Sequence, residues 1–103
     1  MELDERAGET EAGESAGTTA CVLLVTNDKI YCANLGDSRA VVCSDNMAIP
    51  LSYDHKPQNK EELARIEASG HFVEDDRVDG NLALSRAIGD FQYKDKTTLP
   101  PEK

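Results

Sequence analysis

An α+β fold, built as an antiparallel β-meander with one main helix and a flap-like loop, is predicted by three observations. Four short apolar runs follow one another between residues 20 and 52, each closed by turn chemistry. One later segment, residues 57–70, carries helix signals at both ends. The stretch after it, residues 71–91, mixes short apolar pieces with an acidic, glycine-containing loop. The chain has 103 residues, enough for one small domain.

In chain order, residues 1–16 hold six acids and one base without a hydrophobic period, so a disordered acidic leader is expected there. The ordered part is expected over 17–96, with a frayed tail over 97–103 around Pro100-Pro101. The run "ACVLLV" (Ala20–Val25) reads as a strand buried on both faces. "TNDK" turns it into "IYCANL" (Ile30–Leu35). "RAVVC" (Arg39–Cys43) is the next strand, and "SDN" leads to "MAIPLS" (Met47–Ser52), where Pro50 marks an edge or an irregularity.

The helix is read from "PQNKEELARIEASG". Asn59 is the expected N-cap and Glu62 its capping-box partner. Leu63 and Ile66 share a face, Glu61 and Arg65 form an i,i+4 pair, and Gly70 takes the C′ position. "HFV" is expected to be a short strand, "EDDRVDGN" a loop, and "LALSRAIGD" a strand or a helical turn.

Charge excludes several functions. Net charge is −9, from 11 bases and 20 acids, with no basic stripe. Nucleic acid and anionic membrane are therefore poor partners. No run approaches the 18 apolar residues of a membrane span. The first residues lack the basic and apolar regions of a secretory signal, which points to the cytoplasm, or to the nucleus. The odd set Cys21, Cys32 and Cys43 fits reduced, buried thiols, and a meander would make them cross-strand neighbours.

Most local motifs favour plain readings. "DDRVDG" fails as a calcium loop, since Arg77 and Arg86 fall at positions 3 and 12 where oxygen ligands belong. His55 and His71 share no metal-ligand spacing, so each reads as a structural or surface residue. No nucleophile elbow, P-loop or dinucleotide fingerprint is present. "GDSR" (Gly36–Arg39) alone reads as a hairpin turn. A plain turn, however, does not need a carboxylate, a hydroxyl and a guanidinium together. Nor does it explain the small, hydroxylated "GTTA" (Gly17–Ala20) that opens the first strand.

In order, "GTTACVLLV", "KIYCANLGDSRAVV", "PLSYDHKP", "ELARIEASG" and "RVDGNLALSRAIGDFQYK" resemble the central part of the metal-dependent type 2C protein serine/threonine phosphatases. The resemblance covers about residues 16–96. It implies a partial α/β/β/α sandwich, hydrolysis of phosphoserine and phosphothreonine in a phosphoprotein substrate, and Mg²⁺ or Mn²⁺ as cofactor. Such ions activate a water for in-line attack and neutralise phosphoryl charge. By this resemblance Asp37 is a metal-site carboxylate, with Thr18, Thr19 and Gly36 close to the centre. Arg77, Arg86 and Asp90 match family positions read as structural, and residues 57–80 resemble the helix and flap beside the cleft. His71 stands where the family commonly has glycine, which puts the turn there in question.

The family's D-G-H-G-G, D-G-x-W-D and D-N segments, which supply the other metal ligands and an acid histidine, have no counterpart in these residues. No complete catalytic set is therefore expected. The 103-residue chain is expected to be inactive alone and to need the rest of the phosphatase domain. The alternative from another class is a truncated pseudophosphatase acting as a protein-binding module.

Overall fold

The structure, a computed structural model, describes residues 2–9 and 15–94; the expected tail at 97–103 lies outside the described residues. The elements are α1 (Glu2–Gly8), β1 (Gly17–Thr18), β2 (Ala20–Val25), β3 (Ile30–Leu35), β4 (Val41–Ser44) and β5 (Met47–Pro50). They continue as α2 (Lys60–Ala68), β6 (Val73–Glu74), β7 (Arg77–Val78), β8 (Ile88–Gly89) and a 3-10 turn at Phe91–Tyr93.

The α+β class holds, with one main helix and antiparallel strands. Among the described residues the strands form four separate two-stranded ladders instead of one continuous meander: β2–β3, β4–β5, β6–β7 and β1–β8. Three are local hairpins. In β2–β3 the register runs from Ala20 opposite Leu35 to Val25 opposite Ile30. The connection is a β-turn in which the Thr26 N–H donates to the Lys29 carbonyl at 2.8 Å. The β4–β5 and β6–β7 hairpins turn on two residues each, Asp45-Asn46 and Asp75-Asp76, all four at positive φ. That is the primed-turn geometry whose twist matches paired strands, and Asp and Asn tolerate it. The expected loop "EDDRVDGN" thus contains a hairpin, with Glu74 in β6, Asp75-Asp76 at the tip and Arg77–Val78 as β7.

The expected leader is corrected in part. Residues 2–8 form α1, anchored by Asp4, whose carboxylate accepts from the Gly89 N–H and from Lys94 Nζ, each at 2.8 Å. Lys94 also donates to the Ala87 carbonyl. Leu3 stays exposed, and the Asp4 contacts fasten α1 to β8 and to Lys94.

The strand β2 is not buried on both faces. Val22 and Leu24 project from one face and Leu23 and Val25 from the other, and all four are exposed. Ile30, Tyr31, Val41, Met47 and Ile49 are exposed too. The hairpins' apolar faces meet no other layer among the described residues. The thiols are likewise less buried than expected. Cys21 and Cys32 are half-buried diagonal neighbours on one face of β2–β3, while Cys43 is exposed in another ladder. Burial, and then the Cys21 thiol beside it, push the Cys32 thiol up.

The helix α2 keeps its predicted position but not all its predicted contacts. Asn59 is the N-cap in extended backbone, yet its side chain makes no cap bond; it donates to the Asp54 carbonyl at 2.9 Å. Glu62 does not reach back to close a capping box. It is buried and accepts from Arg86 Nε and from Arg65, so Arg65 pairs at i,i+3 and not with Glu61. The C-terminus is a Schellman motif. The His71 N–H donates to Ile66 O, the Gly70 N–H to Glu67 O, and Gly70 takes φ +89°. Since Gly70 carries the left-handed conformation, His71 does not disturb the turn. The buried apolar residues among those described are few: Ala40, Pro57 before α2, Ile66 within it, Val78 in β7 and Ala87 just before β8.

Candidate functional site

Gly36–Ala40 is not a hairpin turn. It links the β2–β3 and β4–β5 ladders, which do not pair with each other, and it is held by residues 51–56 at every position except Ser38, which Thr19 holds. The Gly36 N–H donates to His55 Nδ1 at 2.9 Å, and its carbonyl accepts from the His55 N–H at 2.9 Å and from Asn34 Nδ2 at 3.1 Å. Asp37 pairs with Lys56. Ser38 Oγ shares a hydrogen bond with Thr19 Oγ1 at 2.7 Å. Arg39 grips Asp54 with two parallel bonds, Nε at 2.9 Å and Nη2 at 2.8 Å. The Ala40 N–H donates to Ser52 Oγ, and its carbonyl accepts from the Leu51 N–H, each at 2.9 Å.

Glycine is required at 36. Its φ is +99°, and a Cβ there would lie 2.5 Å from Thr19 Cγ2 and 3.0 Å from the Arg86 carbonyl. The segment that opens β2 therefore packs directly on Gly36 through Thr19.

The electrostatics are balanced locally. The Arg39 fork is the main reason the Asp54 carboxyl sits below the usual carboxylate range, against opposing desolvation and with help from Lys56. An open groove of about 520 Å³ runs beside these segments, lined in part by Arg39, Ser52, Tyr53, Lys56 and Asn59. Its two cations are each already paired with a carboxylate, Asp54 and Asp37.

The other sequence-selected residues lie apart from Asp37 or serve the frame. Thr18 pairs with Ile88 in β1–β8, and its hydroxyl donates to the Thr19 carbonyl. Arg77 donates to the Asn81 carbonyl within its own turn at 2.8 Å. Arg86 binds both oxygens of Glu62. Asp90 is buried at φ +50°, directly over Gly17, where a Cβ would lie 2.0 Å from Asp90 Oδ2. Sequence reasoning missed the grip of Asp54, His55 and Lys56. The available signal was charge complementarity: "GDSR" offers an acid and a base, and "DHK" offers their opposites.

As a metal site the segment is incomplete. Among the described residues no group of three or more His, Cys, Asp or Glu side chains could hold an ion. Asp37 brings one carboxylate, and an ammonium already faces it. The described residues do not by themselves fit a binuclear centre.

A family model described as protein phosphatase 2C matches residues 1–102. Protein phosphatase 2C homolog 3 of Schizosaccharomyces pombe is 58% identical over 90 residues, covering 87% of this chain and 22% of that protein. A probable protein phosphatase 2C of Caenorhabditis elegans is 50% identical over 105 residues, covering 100% of this chain and 30% of that protein. The crystal structure of a phosphatase from a pathogenic strain of Toxoplasma gondii aligns with TM-score 0.61 and 33% identity, covering 85% of this chain and 39% of that one. The chain thus spans about a quarter of the length of the curated relatives it matches.

Proposed function

Because the chain belongs to the protein phosphatase 2C family, a metal-dependent family, we propose that it serves in a protein serine/threonine phosphatase acting on phosphoproteins with Mg²⁺ or Mn²⁺. In a complete domain those ions would supply an activated water and neutralise phosphoryl charge. This segment contributes one acidic position, Asp37, and the frame that aims it. The observation carrying this reading is the grip on Gly36–Ala40: every residue of the segment is hydrogen-bonded or ion-paired to an element outside it. A carboxylate on a surface turn needs no such frame, whereas a ligand to a hard cation must be held in place.

Two measurements test the reading. Mn²⁺ titrated into the 103-residue chain should perturb the Asp37 and Gly36 resonances first, at millimolar metal, as one carboxylate binds a hydrated ion weakly. A response spread evenly over the many acidic side chains would count against Asp37. The complete domain carrying this segment should hydrolyse a phosphoserine peptide only with metal, while the 103-residue chain alone should not.

A further inference from the structure

His55 carries no role in the phosphatase reading above, and it makes two 2.9 Å hydrogen bonds to Gly36, the residue before Asp37. Gly36 has no side chain to fix it and adopts a conformation open to few other residues. Only its backbone polar groups can be held, and the backbone and ring of His55 take both, each at 2.9 Å. A backbone N–H can only donate, so Nδ1 is the acceptor and the ring hydrogen lies on Nε2. One residue further along each segment, Asp37 meets Lys56.

We propose that His55 is the positioning residue for Asp37: Nδ1 of its Nε2–H tautomer accepts from the Gly36 N–H, its backbone N–H donates to the Gly36 carbonyl, and the pair fixes the backbone from which the Asp37 carboxylate projects. The importance of the clamp rests on the role proposed above for Asp37; its existence does not. Its chemistry separates it from packing. A ring that merely filled space could be replaced by any side chain of similar volume. An acceptor at Nδ1 can be replaced by asparagine, whose Oδ1 falls near the same place, but not by glutamine, whose oxygen lies one carbon further out.

The test is solution NMR of the ¹⁵N-labelled chain at low concentration. The wild-type protein should show scalar coupling between the Gly36 nitrogen and His55 Nδ1 through their hydrogen bond. Nδ1 should resonate as an unprotonated ring nitrogen. His55→Asn should keep the Gly36 amide protected from solvent exchange and keep the Asp37–Lys56 contact. His55→Gln and His55→Ala should speed exchange at Gly36 about tenfold, the worth of roughly one hydrogen bond, and loosen Asp37 while the α2 amides stay protected. A protonated Nδ1, or an unchanged Gly36 amide in His55→Ala, overturns the proposal. Should His55→Ala fail to fold, the wild-type coupling alone decides. Absence of a Mn²⁺ effect at Asp37 would remove the functional reading and leave the clamp standing. Absence of the coupling would remove the clamp and leave the Mn²⁺ response standing.

Discussion

Arg86 reaches Glu62 across 24 residues of chain and binds both carboxylate oxygens, at 3.0 and 3.1 Å. Glu62 is buried, and Arg65 takes the same carboxylate at 2.9 Å from one turn further along α2. Helix α2 is thereby fastened to the segment leading into β8. Glu62→Ala leaves two guanidiniums without their anion. It should cost about 2 kcal/mol, the scale of hydrogen bonds to charged groups, read as a lower urea midpoint.

Acid should weaken the fold through the same carboxylate. Burial alone would raise the Glu62 pKa, but hydrogen bonds from Arg65 and other neighbours outweigh it and leave the pKa below the ordinary 4.5. The Arg39 fork leaves Asp54 below 3.8. In both cases the unfolded chain binds the proton more readily, so stability is fully present above the ordinary values and is lost as pH falls through the depressed ones. Urea midpoints should be level from pH 7 to about 5 and drop below pH 4. Glu62→Gln should flatten part of that drop.

Gly36→Ala tests the close approach beneath Asp37. The added Cβ meets Thr19 and must adopt φ near +99°, so the variant should lose about 2 kcal/mol, again by urea unfolding. Thr19→Ser in the same chain removes the clashing methyl and should recover part of the loss.

The hairpin tip at Asp45-Asn46 offers a change of opposite sign. Both residues sit at positive φ in a two-residue turn that favours glycine second. Asn46→Gly should raise stability by about 0.5 kcal/mol, relief of left-handed strain exceeding the extra freedom of the unfolded chain. A lower thermal midpoint would refute this.

The bare sheet faces predict association. Val22 and Leu24 on one side of β2, and Leu23 and Val25 on the other, are exposed alongside Ile30 and Tyr31. The isolated 103-residue chain should self-associate, or be only marginally stable, with its apparent mass rising with concentration in sedimentation. A monomeric, cooperative two-state domain at all concentrations would contradict this.

What could be read from the residues was local. Helix α2 is announced by Asn59 and Gly70, and the strands by their β-branched runs, because propensity and turn chemistry act within a few positions. What could not be read depends on distant partners. Asn59 and Glu62 spell a capping box, but Asp54 and Arg86 outbid the local arrangement. Residues 2–8 look like polar leader, and Asp4 becomes an anchor only when Lys94 reaches it. "GDSR" looks like a hairpin turn until "DHK", 15 to 19 residues later, is laid against it.

The Asp4–Lys94 ion pair spans 90 residues, and β1–β8 pairs Gly17 with Gly89 just inside it. Every hairpin among the described residues lies inside both closures. Local hairpins close small loops and form within microseconds, while a loop of that length must first surrender its chain entropy. Assembly should therefore proceed from the hairpins outward, with the joining of the ends as its last and slowest event. On the ribosome, α1 would have to wait for Lys94 to emerge before it found its anchor.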